Sequence, residues 1–151
     1  MNVIGLDRVV IATRDIEGTA GRFADLLGLS FSDRIRPTTQ TAAGAQALSM
    51  VISAAGVELI TPEEDGNEVA RFIDEHGPGL YALSIRVADL DEATAELAER
   101  GVEPVGEFET GEFRETFFHP ETFGGAFVIL AEYDAPHAAA TAMGAANESQ
   151  K

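Results

Sequence analysis

The chain has 151 residues, 45% of them hydrophobic, which fits one domain with an apolar core. Its formal charge of −16, from 26 acidic against 10 basic residues, argues against nucleic acid as a partner. Because cysteine is absent, disulfides, thiolate metal sites and cysteine nucleophiles are excluded.

The first half of the chain reads as a strand, a helix and further strands. The apolar run from Leu6 to Ala12 predicts a strand, and Phe23, Leu26 and Leu27 follow at helical spacing before Gly28. The predicted elements of this half are strands near 5–12, 47–53 and 57–61, a helix near 16–27, and one more strand within 29–37.

A linker of about 66–76 contains Val69, Phe72 and Ile73 at the spacing of a short amphipathic helix. The second half then repeats the first. Leu6, Ile11, Asp15 and Ala24 recur as Leu80, Ile85, Asp89 and Ala98, at a constant offset. Asp15 and Asp89 are expected to cap the two helices.

The repeat predicts a single domain over 1–133, with module one at about 4–62 and module two at about 79–133. Strands are expected near 80–87, 103–108, 115–118 and 126–132, and a helix near 89–100. Residues 134–151 are Ala-rich and polar, which predicts a flexible tail or a weak helix.

The apolar runs are too short for a membrane span of about 18 residues. The first residues also lack the charged and apolar segments of a signal peptide. We therefore expect a cytoplasmic protein with no membrane partner.

Four segments resemble methylmalonyl-CoA epimerase and the glyoxalase and bleomycin-resistance proteins of the vicinal oxygen chelate superfamily. They are the opening strand and helix, GVELITP (Gly56 to Pro62), GPGLYALSIRV (Gly77 to Val87) and FFHPETFGGAFVIL (Phe117 to Leu130). The resemblance spans about residues 4–133. It implies an α+β fold in which two β-α-β-β-β modules form a cup-shaped mixed sheet, with helices on the outer face.

The resemblance also locates the family's four metal-ligand positions, which fall on Arg8, Glu58, Ala82 and Ile129. Three of these cannot bind a divalent metal, and a lone carboxylate is a poor site for one. We expect no metal. No nucleotide-binding glycine motif is present, so we expect no cofactor either.

Side chains that alternate along a strand share a face, which predicts the lining of the cup. The lining is mostly apolar with a few polar groups, as small-molecule sites commonly are. The predicted ligand-binding residues are Arg8, Val10, Ile60, Ala82, Ser84, Arg86, Phe127 and Ile129.

Arg8 and Glu58 are the candidate catalytic pair, because the family places both positions around one site. Two interpretations stay open: a buried ion pair that only joins two strands, or Arg8 binding a carboxylate, thioester oxygen or enolate while Glu58 acts as a base. Glu115 lies in a strand whose cup-facing side the sequence does not fix.

The sequence thus predicts a metal-independent glyoxalase-fold protein that binds a small organic ligand, such as an anion or an acyl thioester. It would act as an isomerase or lyase by general base catalysis, or as a sequestering binding protein. The alternative is a metal-dependent methylmalonyl-CoA epimerase or glyoxalase-like lyase. The family implies a homodimer, although two modules in one chain could form a cup alone.

Overall fold

Eight strands close into one barrel in a computed structural model that describes residues 1–41 and 44–141. Module one contains β1 (Val3–Ala12), α1 (Ile16–Leu27), β2 (Thr38–Thr41), β3 (Gly44–Ile52) and β4 (Val57–Pro62). Helix α2 (Glu68–His76) follows. Module two contains β5 (Gly79–Val87), α3 (Leu90–Glu99), β6 (Gly106–Thr110), β7 (Phe113–Phe118) and β8 (Phe127–Glu132).

The strand order around the barrel is β1-β4-β3-β2-β6-β7-β8-β5. The β1–β4 and β5–β8 pairs are parallel and the others antiparallel, so the sheet is mixed. This confirms the predicted α+β fold class. Beyond that prediction, β1–β5 and β2–β6 join the modules at both edges, which closes the cup into a barrel.

Strand register supports the equivalence of the two modules. Val10 pairs with Glu58 across β1–β4, and Ser84 pairs with Ile129 across β5–β8. Val10 and Ser84 stand at the same offset as the repeated residues of the sequence. Glu58 and Ile129 therefore occupy matching places on the barrel wall.

Within the part of the chain that the structure describes, each of the three α-helices begins at a capping side chain. Asp15 accepts a hydrogen bond from the amide of Gly18, and Asp89 accepts one from the amide of Glu92. Asn67 caps α2 in the same way. The capping roles predicted for both aspartates are confirmed, and they satisfy helix amides that would otherwise lack partners.

The strand predicted within 29–37 was misplaced. Phe31 and Ile35 form only isolated bridges, and the strand itself, β2, begins at Thr38. Pro37 has no backbone N–H to give to a ladder, so regular pairing starts after it. Pro104 has the same effect on the strand predicted near 103–108, which the structure places at Gly106–Thr110.

Residues 134–141 begin the segment for which we expected a flexible tail or a weak helix. Ala138–Ala140 forms a short 3-10 turn, and Ala138 is buried against the barrel interior. The remainder of the predicted tail, 142–151, lies outside the described residues. In the described ranges no helix is long and apolar enough to cross a membrane.

Buried side chains among the described residues form three clusters. The largest fills the barrel and includes Val10, Met50, Phe113 and Ile129. The other two lie on the outer faces of the sheet, one beneath α1 and one beneath α3. Because β3, β4, β7 and β8 are covered on both faces, alternation of polar and apolar residues is weak along them.

Closure of the barrel brings backbone very close to Gly106. A Cβ atom there would lie 2.6 Å from the Gln40 carbonyl oxygen. We expect Gly106→Ala to lower the free energy of unfolding by about 1–3 kcal/mol, since the two strands of the β2–β6 pair must separate to admit the methyl group. Chemical denaturation measures this. Gly21→Ala is the matched control: in α1, with open space around it, it should stabilise by about 0.5–1 kcal/mol. Equal changes in the free energy of unfolding for the two variants would show that the close approach of backbone at Gly106 does not matter.

Candidate functional site

Arg8 lies inside the barrel, where its side chain is 2% exposed. Its Nε donates to Glu58 Oε1 at 2.8 Å, and Nη1 donates to Ser84 Oγ at 3.2 Å. Further hydrogen bonds run from Nη1 to Asp7 and from Nη2 to Glu115. A guanidinium has five N–H donors, so these four bonds leave it little capacity to bind a ligand directly.

Three carboxyl groups converge on this one cation from three strands. Asp7 comes from β1, Glu58 from β4 and Glu115 from β7, and their side chains are 4%, 4% and 6% exposed. We call these four residues the ion cluster. If all three carboxyls were ionised, the cluster would carry a net negative charge away from water, which is costly.

The cluster reduces that cost by favouring a proton on one carboxyl. Burial raises the pKa of Glu115 to about 7; Arg8 opposes the rise, while the charges of Glu58 and Asp7 add to it. Burial by itself would lower the pKa of Arg8, yet Glu115, Glu58 and Asp7 together hold it well above the usual value. Arg8 therefore remains a cation, whereas Glu115 changes charge near neutral pH.

One side of the ion cluster is closed by the end of β8 and the segment after it. The Tyr133 hydroxyl donates to Asp7. Arg86 lies over the Tyr133 ring at 3.8 Å and donates to the carbonyl oxygens of Tyr133 and Ala135 at 2.6 and 2.8 Å. These contacts hold Arg86 to the barrel end and away from the ligand pocket that we predicted it to line.

The ion cluster also adjoins a mostly apolar cavity of about 60 Å³, which we call the inner pocket. Glu58 and Glu115 stand in its wall, whereas Arg8, Ser84 and Arg86 do not. Ser84 instead accepts a hydrogen bond from Arg8. The other predicted ligand-binding residues do line it, namely Val10, Ile60, Ala82, Phe127 and Ile129.

A larger depression of about 630 Å³, the outer cleft, adjoins the inner pocket. Glu68, Tyr81 and Phe127 line both. Helix α2 forms one side of the outer cleft, and the turn after β7 forms the other, where His119 lies. The two cavities are therefore neighbours, and Glu58 and Glu115 of the ion cluster lie in the wall of the inner one.

Sequence reasoning did not assign Glu115 and Asp7 to the site. Both faces of β7 are buried, with Phe113 and Phe117 inside the barrel and Phe118 beneath α3. The pattern of hydrophobic residues therefore did not show which face of the strand carries Glu115. Asp7 was missed because the register of β1 shifts between positions 6 and 8. Such a bulge lets two neighbouring side chains serve one site, which simple alternation forbids.

The four positions at which the family would hold a metal do not fit one. They carry a cation, a carboxylate and two hydrocarbon side chains, at Arg8, Glu58, Ala82 and Ile129. The guanidinium occupies the centre on which the carboxyls converge. Within 1–41 and 44–141, no group of three or more His, Asp or Glu residues is arranged to hold a metal ion.

The glyoxalase/bleomycin resistance protein/dioxygenase superfamily model matches residues 7–118. This match spans most of the chain, and the barrel of two repeated modules agrees with it. The chain therefore belongs to this superfamily. The comparison with curated proteins found no match.

Solved structures of methylmalonyl-CoA epimerases share the fold. The enzyme from Mycobacterium tuberculosis is 27% identical, with a TM-score of 0.68 over 88% of this chain and 90% of that one. A selenomethionine epimerase structure is 26% identical, with a TM-score of 0.69 over 89% and 99%. A Streptomyces coelicolor epimerase in complex with 2-nitronate-propionyl-CoA is 21% identical, with a TM-score of 0.68 over 89% and 100%.

Proposed function

We propose that this chain is a metal-independent isomerase or lyase that moves a proton on a small organic ligand held in the inner pocket. One observation carries the proposal: two carboxyls, Glu58 and Glu115, share the Arg8 guanidinium in the wall of an apolar cavity. Catalytic acids and bases are commonly buried groups whose pKa lies near the working pH.

The two carboxyls suit complementary roles. Glu58 is the base: its oxygen takes a proton from a ligand carbon, and the C–H electron pair passes into the adjoining unsaturated group. Glu115 is the acid and gives its proton to the atom where that charge collects. The proton balance closes, because one carboxyl gains the proton that the other loses.

Arg8 acts on the ligand only through these carboxyls. Its hydrogen bonds to Glu58 and Glu115 fix their positions, and its charge limits the cost of ionising either one. This differs from the direct binding of a ligand oxygen considered from the sequence. Arg8 is therefore a positioning residue, while Glu58 and Glu115 are the proposed catalytic residues.

A sequestering binding protein is the second candidate function. The mostly apolar lining of the inner pocket and its adjoining outer cleft support binding without chemistry equally well. In that case the ion cluster would only stabilise the barrel. The two candidates differ in whether bound ligand exchanges protons with solvent.

Deuterium incorporation from D₂O, followed by NMR, tests the catalytic proposal once a ligand is found. A thermal-shift screen of acyl-CoA thioesters, aromatic acids and polyketide-like compounds can find one, since a hundredfold excess over Kd stabilises the folded state by about 2.7 kcal/mol. We expect Glu58→Gln to slow exchange by about 10²-fold or more while ligand still binds, because the amide keeps the shape but is not a base.

Glu112→Gln is the matched control, since Glu112 is exposed and lies outside the inner pocket. It should leave exchange unchanged. If the unaltered protein binds a ligand but neither exchanges nor converts it, the catalytic proposal fails and the sequestering function stands. Metal independence, a cytoplasmic location and a homodimer stay predictions. Val3, Ile4 and Leu6 are exposed hydrophobic residues on β1 that a second copy could cover.

A further inference from the structure

Resting on the proposed function, we infer that the ligand has two parts: a small head that donates hydrogen bonds and carries no negative charge, and a planar apolar body. The head enters the inner pocket and the body lies in the outer cleft. This replaces the anionic ligand expected from the sequence with a neutral or cationic one.

The charge of the inner pocket carries the first half of the inference. Glu58, Glu68 and Glu115 line it, and among the described residues no Arg, Lys or His side chain does. The nearest cation, Arg8, has its donors directed to Asp7 and to the other members of its cluster. A carboxylate placed here would meet like charges in a setting of low polarity, which is strongly unfavourable.

The carboxyl oxygens that are not bonded to Arg8 favour a ligand head that donates hydrogen bonds. Glu58 and Glu115 each have one oxygen bonded to Arg8, and a carboxylate can accept about four hydrogen bonds. A hydroxyl or ammonium group can therefore bond to these carboxyls without displacing the guanidinium. For the proposed chemistry, the carbon that bears this head must also adjoin an unsaturated group that takes the C–H electron pair.

Aromatic side chains in the outer cleft carry the second half. Tyr81 packs against Phe72 with ring centroids 5.1 Å apart and against Phe127 at 5.3 Å. His76 stacks on Phe72 at 4.8 Å. All four line the outer cleft, so they form a continuous aromatic wall. Ring faces and edges bind planar apolar groups by stacking and edge contacts.

The sizes of the two cavities separate the head from the body. The inner pocket, at about 60 Å³, has room for a group of only a few atoms, whereas the outer cleft offers about 630 Å³. Tyr81 and Phe127 line both cavities, so a ligand that touches them extends from one to the other. An elongated molecule fills this space better than a compact one.

Three probes with one body and different heads test the inference: biphenylmethanol, biphenylmethylamine and biphenylcarboxylate. Isothermal titration calorimetry at about pH 8, where Glu115 is ionised, gives the three Kd values. We expect the carboxylate to bind at least about tenfold more weakly than the alcohol and the amine. A carboxylate that binds as tightly as the other two overturns the inference, as does failure of all three to bind at about 1 mM.

Two variants locate the two parts of the ligand. Tyr81→Leu should weaken all three probes by a similar factor, about 2–10-fold, because it removes a ring from the wall that contacts the body. Glu115→Gln should bring the Kd values of the carboxylate and the alcohol closer together, since it removes a negative charge beside the head. Glu109 is exposed on β6, so Glu109→Gln should change neither the affinity for the probes nor the difference between their Kd values. If Glu115→Gln leaves the ratio of the carboxylate and alcohol Kd values unchanged, the head lies elsewhere and the inference is overturned.

Proton exchange keeps this inference separate from the proposed function. If the alcohol and amine are preferred but no ligand exchanges deuterium, the ligand class stands and the catalytic role fails. If deuterium enters an anionic ligand that binds more tightly than the neutral probe, the catalytic role stands and the ligand class fails.

Discussion

Arg8→Met should lower the free energy of unfolding by about 3–5 kcal/mol near pH 8, the usual cost of removing one partner of a buried ion pair. Methionine fills similar space but leaves Asp7, Glu58 and Glu115 without the cation that all three contact. Urea denaturation followed by far-UV circular dichroism measures the loss. Should the variant not fold at pH 8, its recovery in acid provides the same test.

Acid should rescue this variant. Without the guanidinium the buried carboxyls bind protons more readily in the folded state than in the unfolded state, so stability rises as the pH falls from about 8 to about 5. Arg14→Met is the control, because the Arg14–Asp74 pair is 47% and 69% exposed and should contribute about 0–1 kcal/mol. A loss for Arg8→Met no larger than that of the control would show that the ion cluster does not stabilise the fold.

Glu115→Gln should become more stabilising, relative to the unaltered protein, as the pH rises from about 4.5 to about 7. The pKa of Glu115 is raised from 4.5 to about 7 in the folded state. Between those values the folded chain holds a proton that the unfolded chain has lost, so Glu115 makes stability fall with rising pH. Each unit of pKa difference corresponds to about 1.4 kcal/mol. Glutamine resembles the neutral carboxyl and has no such dependence.

Unfolding curves collected across this pH range, for both proteins, measure the difference. Glu112→Gln, in the exposed turn before β7, should show a constant difference from the unaltered protein. A constant difference for Glu115→Gln as well would mean that the carboxyl is ionised throughout. Glu115 could not then serve as the proton donor that the proposed mechanism requires.

The sequence predicted the fold well because its evidence was local and repeated. Asp15 and Asp89 cap their helices as expected, and the constant offset between the halves placed equivalent strands correctly. The contact between Arg8 and Glu58 agrees with their expected nearness. These inferences needed only periodicity, turn residues and the order of elements along the chain.

The rest of the site depends on geometry that periodicity does not contain. Glu115 points inward on a strand that is buried on both faces, and Asp7 joins the ion cluster through a shift in strand register. Arg86 was expected to line the cup by alternation alone, but backbone carbonyls after β8 bind it at the barrel end. Each difference arises from a contact between residues far apart in sequence.

The two seams between the modules are unequal in strength. Among the described residues, β1 and β5 share eight register pairs, whereas β2 and β6 share two, at Gln40 and Thr41. Because local opening costs least where the fewest backbone hydrogen bonds must break, we expect β2–β6 to open more readily than β1–β5. Thr39 and Thr41 of β2 line the inner pocket. Opening at β2–β6 would therefore expose the inner pocket, while the β1–β5 pair that carries Arg8 stays closed.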